Sequence, residues 1–96
     1  MVPAVQHDPH DHRFIIRDEG AIAMLRYEVL NEWTWDFSTV FVPEALRGRG
    51  LAADLVRGAL DIAGDLGKAV VPSCPYVARF IERHPEYREL AAALEQ

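Results

Sequence analysis

A glycine- and arginine-rich hexapeptide, Arg47-Gly48-Arg49-Gly50-Leu51-Ala52, separates two segments of different character. Residues 33–42 before it are rich in aromatic and β-branched side chains, which favour strands. After it, apolar residues recur at the spacing of one helix face, and they are Leu51, Leu55, Ala59, Ala63 and Leu66. The sequence here predicts a strand, a glycine turn and a long amphipathic helix, in that order.

The hexapeptide also has the features of a phosphate-binding loop. Gly48 and Gly50 allow a ligand to approach the backbone closely, and the free amides at the start of a helix attract anions. Arg47 and Arg49 add positive charges that pair with phosphate oxygens. A nucleotide P-loop is excluded, because neither Gly-Lys-Ser nor Gly-Lys-Thr occurs in the chain. The alternative to a phosphate loop is a glycine turn that only starts the helix.

The remaining pattern predicts a mixed sheet in an α/β domain. Residues 13–17, 21–30 and 33–42 have strand character and are joined by short turns, which indicates an antiparallel meander of about three strands. The aromatic face of the third strand, interpreted as core, comprises Trp33, Trp35, Phe37 and Phe41. Gly67 is predicted to end the helix. The apolar run 69–72 then reads as a buried strand, which the helical connection makes parallel to the third strand.

A second motif follows this last strand. It consists of Ser73-Cys74-Pro75-Tyr76 and, further on, His84-Pro85-Glu86-Tyr87. The loop spacing Arg-x-x-Gly-x-Ala resembles the acetyl-CoA pyrophosphate loop of the GNAT acetyltransferase superfamily. The order of loop, helix, strand, Pro-x-Cys-Pro-Tyr and His-Pro-Glu-Tyr is similar to a small GNAT-like family of stand-alone domains, described as predicted N-acetyltransferases. The resemblance covers about residues 13–90.

The resemblance implies a GNAT-like fold, in which the meander is followed by a helix, a parallel strand and C-terminal helices. It also implies acetyl-CoA (coenzyme A) as the cofactor and transfer of an acetyl group to a primary amine. The residues it assigns to the pyrophosphate are Arg47, Gly48, Arg49, Gly50, Leu51 and Ala52. It assigns the pantetheine arm to the backbone of Val40, Phe41 and Val42. The alternative function is a non-catalytic acyl-CoA-binding or protein-interaction module that keeps the fold without turnover.

The chain departs from this family before the loop. The stretch Phe37-Ser38-Thr39-Val40-Phe41-Val42 stands where the family has a polar His-Thr-Glu-Val-like stretch, so an acid or base role of that His or Glu is not carried over. Asp36 and Glu44 are carboxylates nearby, and each is equally well interpreted as a solvated side chain. Asp18-Glu19-Gly20 leads directly into the next strand, without the helices that wall off the acceptor in the family. This favours a bulky acceptor, such as a protein or peptide amine.

Cys74 and Tyr76 are the candidate catalytic residues. Pro75 favours a helix start with Cys74 as its N-cap, and a helix N-terminus stabilises a thiolate, which can accept an acetyl group and pass it on. The alternative is a cysteine that fills the strand end as a small apolar side chain. Tyr76 lies in the first turn, where it either hydrogen-bonds the leaving sulfur or packs. His84 lies roughly 15 Å further along a continuous helix and precedes Pro85, so we interpret it as a helix terminator.

Length and composition predict one domain at residues 13–96. The chain has 96 residues, half of them apolar, which suffices for a core. A formal net charge of −5 argues against nucleic acid or an anionic membrane as the main partner. The single cysteine fits a reducing compartment. No apolar run approaches the ~20 residues of a membrane span, and we expect a cytoplasmic protein.

Residues 1–12 are predicted to be a flexible tail. They contain His7, His10 and His12, with Asp8 and Asp11 between them. Such a cluster can hold a divalent metal, although a solvated leader explains the same composition. No metal is therefore assigned.

Overall fold

Five strands form one mixed sheet in the computed structural model, which describes residues 4–91. The strands, in chain order and in spatial order, are β1 (Gln6–Asp8), β2 (Arg13–Asp18), β3 (Ala21–Asn31), β4 (Thr34–Phe41) and β5 (Ala69–Val71). The two α-helices are α1 (Leu51–Asp65) and α2 (Pro75–Arg83). Short 3-10 helices occupy Pro9–Asp11, Glu44–Leu46 and Pro85–Leu90.

The topology confirms the predicted fold class. Strands β1 to β4 pair antiparallel with their neighbours, whereas β5 returns through α1 to pair parallel with β4. The meander has one strand more than expected, because β1 joins it at the edge. No helix within residues 4–91 is both long enough and apolar enough to cross a membrane.

The predicted flexible tail is wrong for β1. His7 lies opposite Phe14 in the pairing of β1 with β2, and the two rings stack with centroids 4.5 Å apart. The Nε2 atom of His7 also lies 2.7 Å from the hydroxyl of Tyr27. β1 is therefore held by pairing and by aromatic packing, so the ordered domain begins before residue 13. Residues 1–3 of the predicted tail lie outside the described residues.

The histidine-rich segment does not form a metal site in the described residues. His7 is engaged with Phe14 and Tyr27 as above, and His12 adopts a left-handed backbone conformation that ends the Pro9–Asp11 turn. Among residues 4–91, no group of three or more His, Cys, Asp or Glu side chains is arranged to hold a metal ion.

The core lies between one face of the sheet and the two helices. The α1 face that packs against it is the predicted stripe Leu51, Leu55, Ala59 and Ala63. Leu66 was predicted to belong to this stripe, but it is exposed. The last helical residue is Asp65 and Leu66 is the C-cap, because the chain reverses at Gly67, whose φ of +74° is easily adopted only by glycine.

Strand β4 contains a bulge that changes which side chains are buried. Tyr27 of β3 pairs with Phe37, and the preceding residue of β3 pairs with Thr39, so Ser38 has no residue opposite it. A bulge of this kind reverses the alternation of side chains along the strand. Phe37 is fully buried, whereas Phe41 is 47% exposed. The prediction that Phe41 lies in the core is therefore wrong.

The prediction of core burial also fails for Trp33, which lies in the turn before β4 and is exposed. Trp35 and Phe37 keep their predicted place in the core. The tight turn occupies Glu32 and Trp33, one residue later than predicted, because Asn31 still pairs with Thr34. A tryptophan in a turn cannot reach the sheet face that its position in the sequence alternation suggests.

Candidate active site

The glycine loop leaves β4 through a short helical turn and enters α1. The turn Glu44–Leu46 is anchored by Leu46, whose side chain is buried in the core. Gly48 and Gly50 follow with φ angles of +84° and +74°. A Cβ atom at either position would meet no atom within 4 Å, so the backbone conformation, and not lack of space, requires glycine there.

The first turn of α1 is open to a ligand. Gly50 is the N-cap, and no side chain of residues 4–91 caps this end of the helix. The amide of Asp54 makes the first helical hydrogen bond, to the carbonyl oxygen of Gly50 at 3.2 Å. The preceding amides carry the positive end of the helix dipole, which favours an anion.

A cavity of about 150 Å³, which we call the loop cavity, lies against this helix start. Its lining comprises Val42, Leu46, Arg47, Gly48, Gly50, Leu51, Ala52, Ala53 and Tyr76. Arg47 is oriented by a hydrogen bond from its Nε atom to the carbonyl oxygen of Val42, at 3.0 Å. The structure therefore brings together most of the loop residues that were predicted to bind a pyrophosphate.

Arg49 does not line this cavity. Its guanidinium group makes ion pairs with Asp18 at 2.9 Å and with Glu19 at 3.3 Å. Both carboxylates belong to the region of the β2–β3 turn, which was not predicted to approach the loop. The positive charge of Arg49 is thus already compensated by these carboxylates, which distinguishes Arg49 from Arg47.

Val40 and Phe41 also lie outside the cavity lining, on an edge of β4 that β5 leaves uncovered. β5 pairs with β4 only along Thr34–Asp36. The amide of Cys74 then donates a hydrogen bond to the carbonyl oxygen of Phe37, at 3.0 Å. Beyond that bond, among the described residues, β4 has a strand neighbour only on its β3 side. The backbone predicted to hold a pantetheine arm is therefore on a free sheet edge.

Cys74 and Tyr76 lie at the start of α2, as predicted. Cys74 is the N-cap and Pro75 occupies the first turn. The side chain of Cys74 belongs to the core cluster, and the residue is only 9% exposed. Tyr76 is 40% exposed and forms part of the wall of the loop cavity. Of the two predicted catalytic residues, Tyr76 is the one that lines this cavity.

His84 ends α2, which confirms its predicted structural role. Its ring stacks on that of Phe80 with centroids 3.9 Å apart. Its Nδ1 atom lies 2.7 Å from the carbonyl oxygen of the same phenylalanine. Both contacts fix the ring against the end of the helix.

The two carboxylates that precede the loop in sequence differ in their surroundings. Glu44 is exposed at the start of its helical turn. Asp36 is half-buried on β4, opposite Val71 of β5, and its Oδ1 atom has no hydrogen-bond partner within residues 4–91. A buried carboxylate oxygen without a partner is unusual in a folded protein. Because side chains alternate along β4, Asp36 lies on one face of the sheet and Trp35 lies on the other.

A second cavity, of about 290 Å³, adjoins the first one and was not predicted. It lies between α1 and α2, and its lining comprises Ala53, Arg57, Tyr76, Arg79, Phe80, Arg83 and His84. Ala53 and Tyr76 line both cavities, which are therefore neighbours. In the sequence, only the spacing of Arg79 and Arg83, one helical turn apart, could have indicated this second cavity.

Comparison with known proteins places the chain in a family. Residues 13–90 match the family described as GCN5-related N-acetyl-transferase. Protein NATD1 of Danio rerio is 35% identical over 89 residues, which are 88% of this chain and 81% of that protein. Protein NATD1 of Bos taurus is 32% identical over 83 residues, which are 84% of this chain and 74% of that protein.

A solved structure shows the same fold. The NMR structure of a GCN5-like protein from Staphylococcus aureus aligns with a TM-score of 0.71 at 20% sequence identity, and the alignment covers 96% of this chain and 90% of that one. The sequence match spans the loop, both helices and the cysteine motif. Because the family model matches most of the chain and the NATD1 proteins are more than 30% identical to it, the chain belongs to the GCN5-related N-acetyltransferase family.

Proposed function

We propose that this protein is an acetyl-CoA-dependent N-acetyltransferase that acts on a primary amine. The observation that carries the proposal is the cavity at the start of α1. It combines an uncapped helix N-terminus, two glycines in the left-handed conformation and the guanidinium group of Arg47. Each of these features stabilises a pyrophosphate, and the family to which the chain belongs is one of N-acetyltransferases.

The proposed position of the cofactor follows from the loop and the free edge of β4. The pyrophosphate would accept hydrogen bonds from the amides at Leu51 and Ala52, with Arg47 beside it. The pantetheine arm would then run along the backbone of residues 40–42. In support, β5 leaves this part of β4 uncovered. The thioester would reach the start of α2, near Tyr76.

In the proposed reaction, the amine nitrogen attacks the carbonyl carbon of the thioester. The carbon–sulfur bond breaks, the sulfur of CoA takes the proton of the Tyr76 hydroxyl, and the proton lost by the amine restores that hydroxyl through solvent. The protein contributes by holding both reactants together. Polarisation of the carbonyl by a backbone amide contributes further.

A two-step route through Cys74 is the alternative chemistry at the same site. The acetyl group would move from the sulfur of CoA to the Sγ atom of Cys74, and then to the amine. The N-cap position supports this route. The burial of the side chain in the core cluster favours direct transfer.

We propose a protein or peptide amine as the acceptor. β2 and β3 are joined by a turn of two residues, Glu19 and Gly20. No helix covers this end of the sheet between those strands, so a bulky substrate has access to it. A small amine would find few walls to hold it.

The first test is a calorimetric titration of CoA and acetyl-CoA into the protein. The comparison variants are Arg47→Gln, in the loop cavity, and Arg88→Gln, which removes the same charge from an exposed residue outside it. We expect binding that is weakened by Arg47→Gln and unaffected by Arg88→Gln. Absence of binding to the wild-type protein would refute the proposal.

Turnover is tested by CoA release with a panel of peptide amines. Release above the rate of thioester hydrolysis supports an acetyltransferase, whereas binding without release identifies a non-catalytic CoA-binding module. Intact-mass measurement during turnover then examines Cys74. An added acetyl group that is absent in Cys74→Ser assigns the two-step route, and full activity of Cys74→Ser assigns direct transfer.

A further inference from the structure

The second cavity is an arginine-lined groove that continues the loop cavity. Arg57 reaches it from α1, and Arg79 and Arg83 reach it from α2. No carboxylate is among its lining residues. Ala53 and Tyr76 form the junction between the two cavities. The positively charged groove therefore adjoins the loop cavity at these two residues.

The helical spacing of its residues explains how the groove forms. Tyr76, Arg79 and Arg83 recur at three- and four-residue intervals, so they share one face of α2. Ala53 and Arg57 share a face of α1 in the same way. The small side chain of Ala53 leaves room between the helices.

The floor of the groove is packed firmly. Phe80 is buried beneath it, and the guanidinium carbon of Arg57 lies 5.3 Å from the centre of the Phe80 ring. The ring of His84 stacks on Phe80 as well. These contacts orient Arg57 before any ligand binds.

The charge of the groove contrasts with that of the chain, whose formal net charge is −5. Arg57 has one ion-pair contact, to Glu86, at 4.0 Å. Arg79 and Arg83 make no ion pair with another residue of the described chain. Both residues are exposed, and among residues 4–91 no carboxylate competes with an anionic ligand for them.

We propose that this groove binds the 3′-phosphate on the adenosine end of CoA, with Arg79 and Arg83 pairing with its oxygens. The inference rests on the proposed function, because it extends the same ligand. In CoA the 3′-phosphate and the pyrophosphate are attached to one ribose, so their binding sites must be adjacent. Arg57 lies six residues after Leu51, roughly 9 Å along α1, which matches that adjacency. Arginine is suited to a phosphate dianion because it donates two hydrogen bonds in parallel.

The consequence is discrimination between CoA and dephospho-CoA. Dephospho-CoA has the same pantetheine arm, thiol and pyrophosphate, and lacks only the 3′-phosphate. Loss of charge-assisted hydrogen bonds to two arginines corresponds to an affinity lower by roughly tenfold or more.

The experiment measures the dissociation constants of both ligands for three proteins. These are the wild type, the double variant Arg79→Gln, Arg83→Gln and the control Arg88→Gln, each checked for folding by circular dichroism and thermal unfolding. We expect the wild type and the control to prefer CoA. The double variant should lose that preference, with an affinity for dephospho-CoA close to that of the wild type.

Two results would overturn the inference and are distinguishable from failure of the proposed function. If the wild type bound the two ligands with equal affinity, CoA binding would stand, but the groove would not contribute to it by binding the 3′-phosphate. A preference that survives in the double variant would place the 3′-phosphate elsewhere. Absence of binding by either ligand would instead refute the proposed function itself, together with this inference.

Discussion

The guanidinium group of Arg49 lies 2.9 Å from the carboxylate of Asp18, and this ion pair joins the glycine loop to the β2–β3 turn. Glu19 contributes a second contact at 3.3 Å. The neighbouring arginine of the loop, Arg47, has no such carboxylate partner among the described residues and lines the loop cavity. The two arginines are alternate residues of one motif, yet they face different surroundings.

The first prediction is that the two loop arginines contribute unequally to CoA binding. We expect Arg47→Gln to raise the dissociation constant roughly tenfold, because it removes a charge-assisted contact. Arg49→Gln should raise it less, since the charge of Arg49 is compensated by Asp18. Because the Arg49–Asp18 pair is exposed, its loss should cost less than about 1 kcal/mol of folding stability. Calorimetry on the two variants makes the comparison, and equal losses of affinity would contradict it.

The second prediction concerns Phe37 and Phe41, which the sequence alternation assigns to the same face of β4. The bulge at Ser38 separates them. We expect Phe37→Ala to lower the free energy of unfolding by about 3–5 kcal/mol, since a fully buried ring leaves a cavity. Phe41→Ala should cost less than about 1 kcal/mol. Urea denaturation measures both changes, and similar losses would show that Phe41 is packed in solution.

The helix ends that were predicted well are those determined by residues only a few positions away in the sequence. The start of α2 depends on Cys74 and Pro75, and its end depends on His84 and the proline that follows. The end of α1 depends in the same way on Gly67. Local backbone preferences determine these points, so no knowledge of the tertiary structure was needed.

The elements that were missed depend on distant contacts. β1 is stabilised by pairing with β2 and by the packing of His7 against Phe14, and its own sequence has no strand periodicity. The bulge at Ser38 depends on how β4 pairs with β3. The ion pair of Arg49 and the arginine groove likewise join residues from separate elements, so periodicity within one segment could not reveal them.

The third prediction tests the attachment of the N-terminal segment through Gly58. A Cβ atom at this position of α1 would lie 2.6 Å from a methyl carbon of Val5. Gly58→Ala should therefore displace the segment that carries β1, while alanine favours the helix itself by about 1 kcal/mol. We expect faster amide hydrogen exchange in Gln6–Asp8, without faster exchange in α1.

A second variant makes this test specific. Val5→Gly removes the obstructing side chain. The exchange rates of Gln6–Asp8 should therefore be the same in Val5→Gly alone and in Val5→Gly combined with Gly58→Ala. If Gly58→Ala alone leaves the protection of β1 unchanged, Val5 is displaced at little cost and the close approach does not explain the glycine.

The fourth prediction is a pH dependence that arises from His7. Burial against Phe14 lowers the pKa of His7 below 6.5, and the charge of Asp8 offsets this only partly. Between the lowered pKa and 6.5 the unfolded chain binds more protons than the folded one, so stability decreases as the pH falls through this range.

The measurement compares unfolding midpoints at pH 7.5 and at lower pH. We expect the wild type to lose more stability below about pH 6.5 than His7→Gln, which cannot be protonated. His10→Gln, at an exposed histidine of the same segment, should behave like the wild type. An identical pH dependence in His7→Gln and the wild type would exclude His7 as the cause.

The fifth prediction separates the hydroxyl of Tyr76 from its ring. The residue is 40% exposed and lines both cavities, so a ligand in either cavity can contact its ring and its hydroxyl. If that hydroxyl protonates the sulfur of CoA, Tyr76→Phe should lower kcat on the order of 10²-fold and leave the KM for acetyl-CoA nearly unchanged. Tyr76→Ala should affect both constants, because it also removes a ring that lines both cavities. A Tyr76→Phe variant with the kcat of the wild type would assign the residue to packing alone, and proton transfer to the leaving sulfur would then come from solvent.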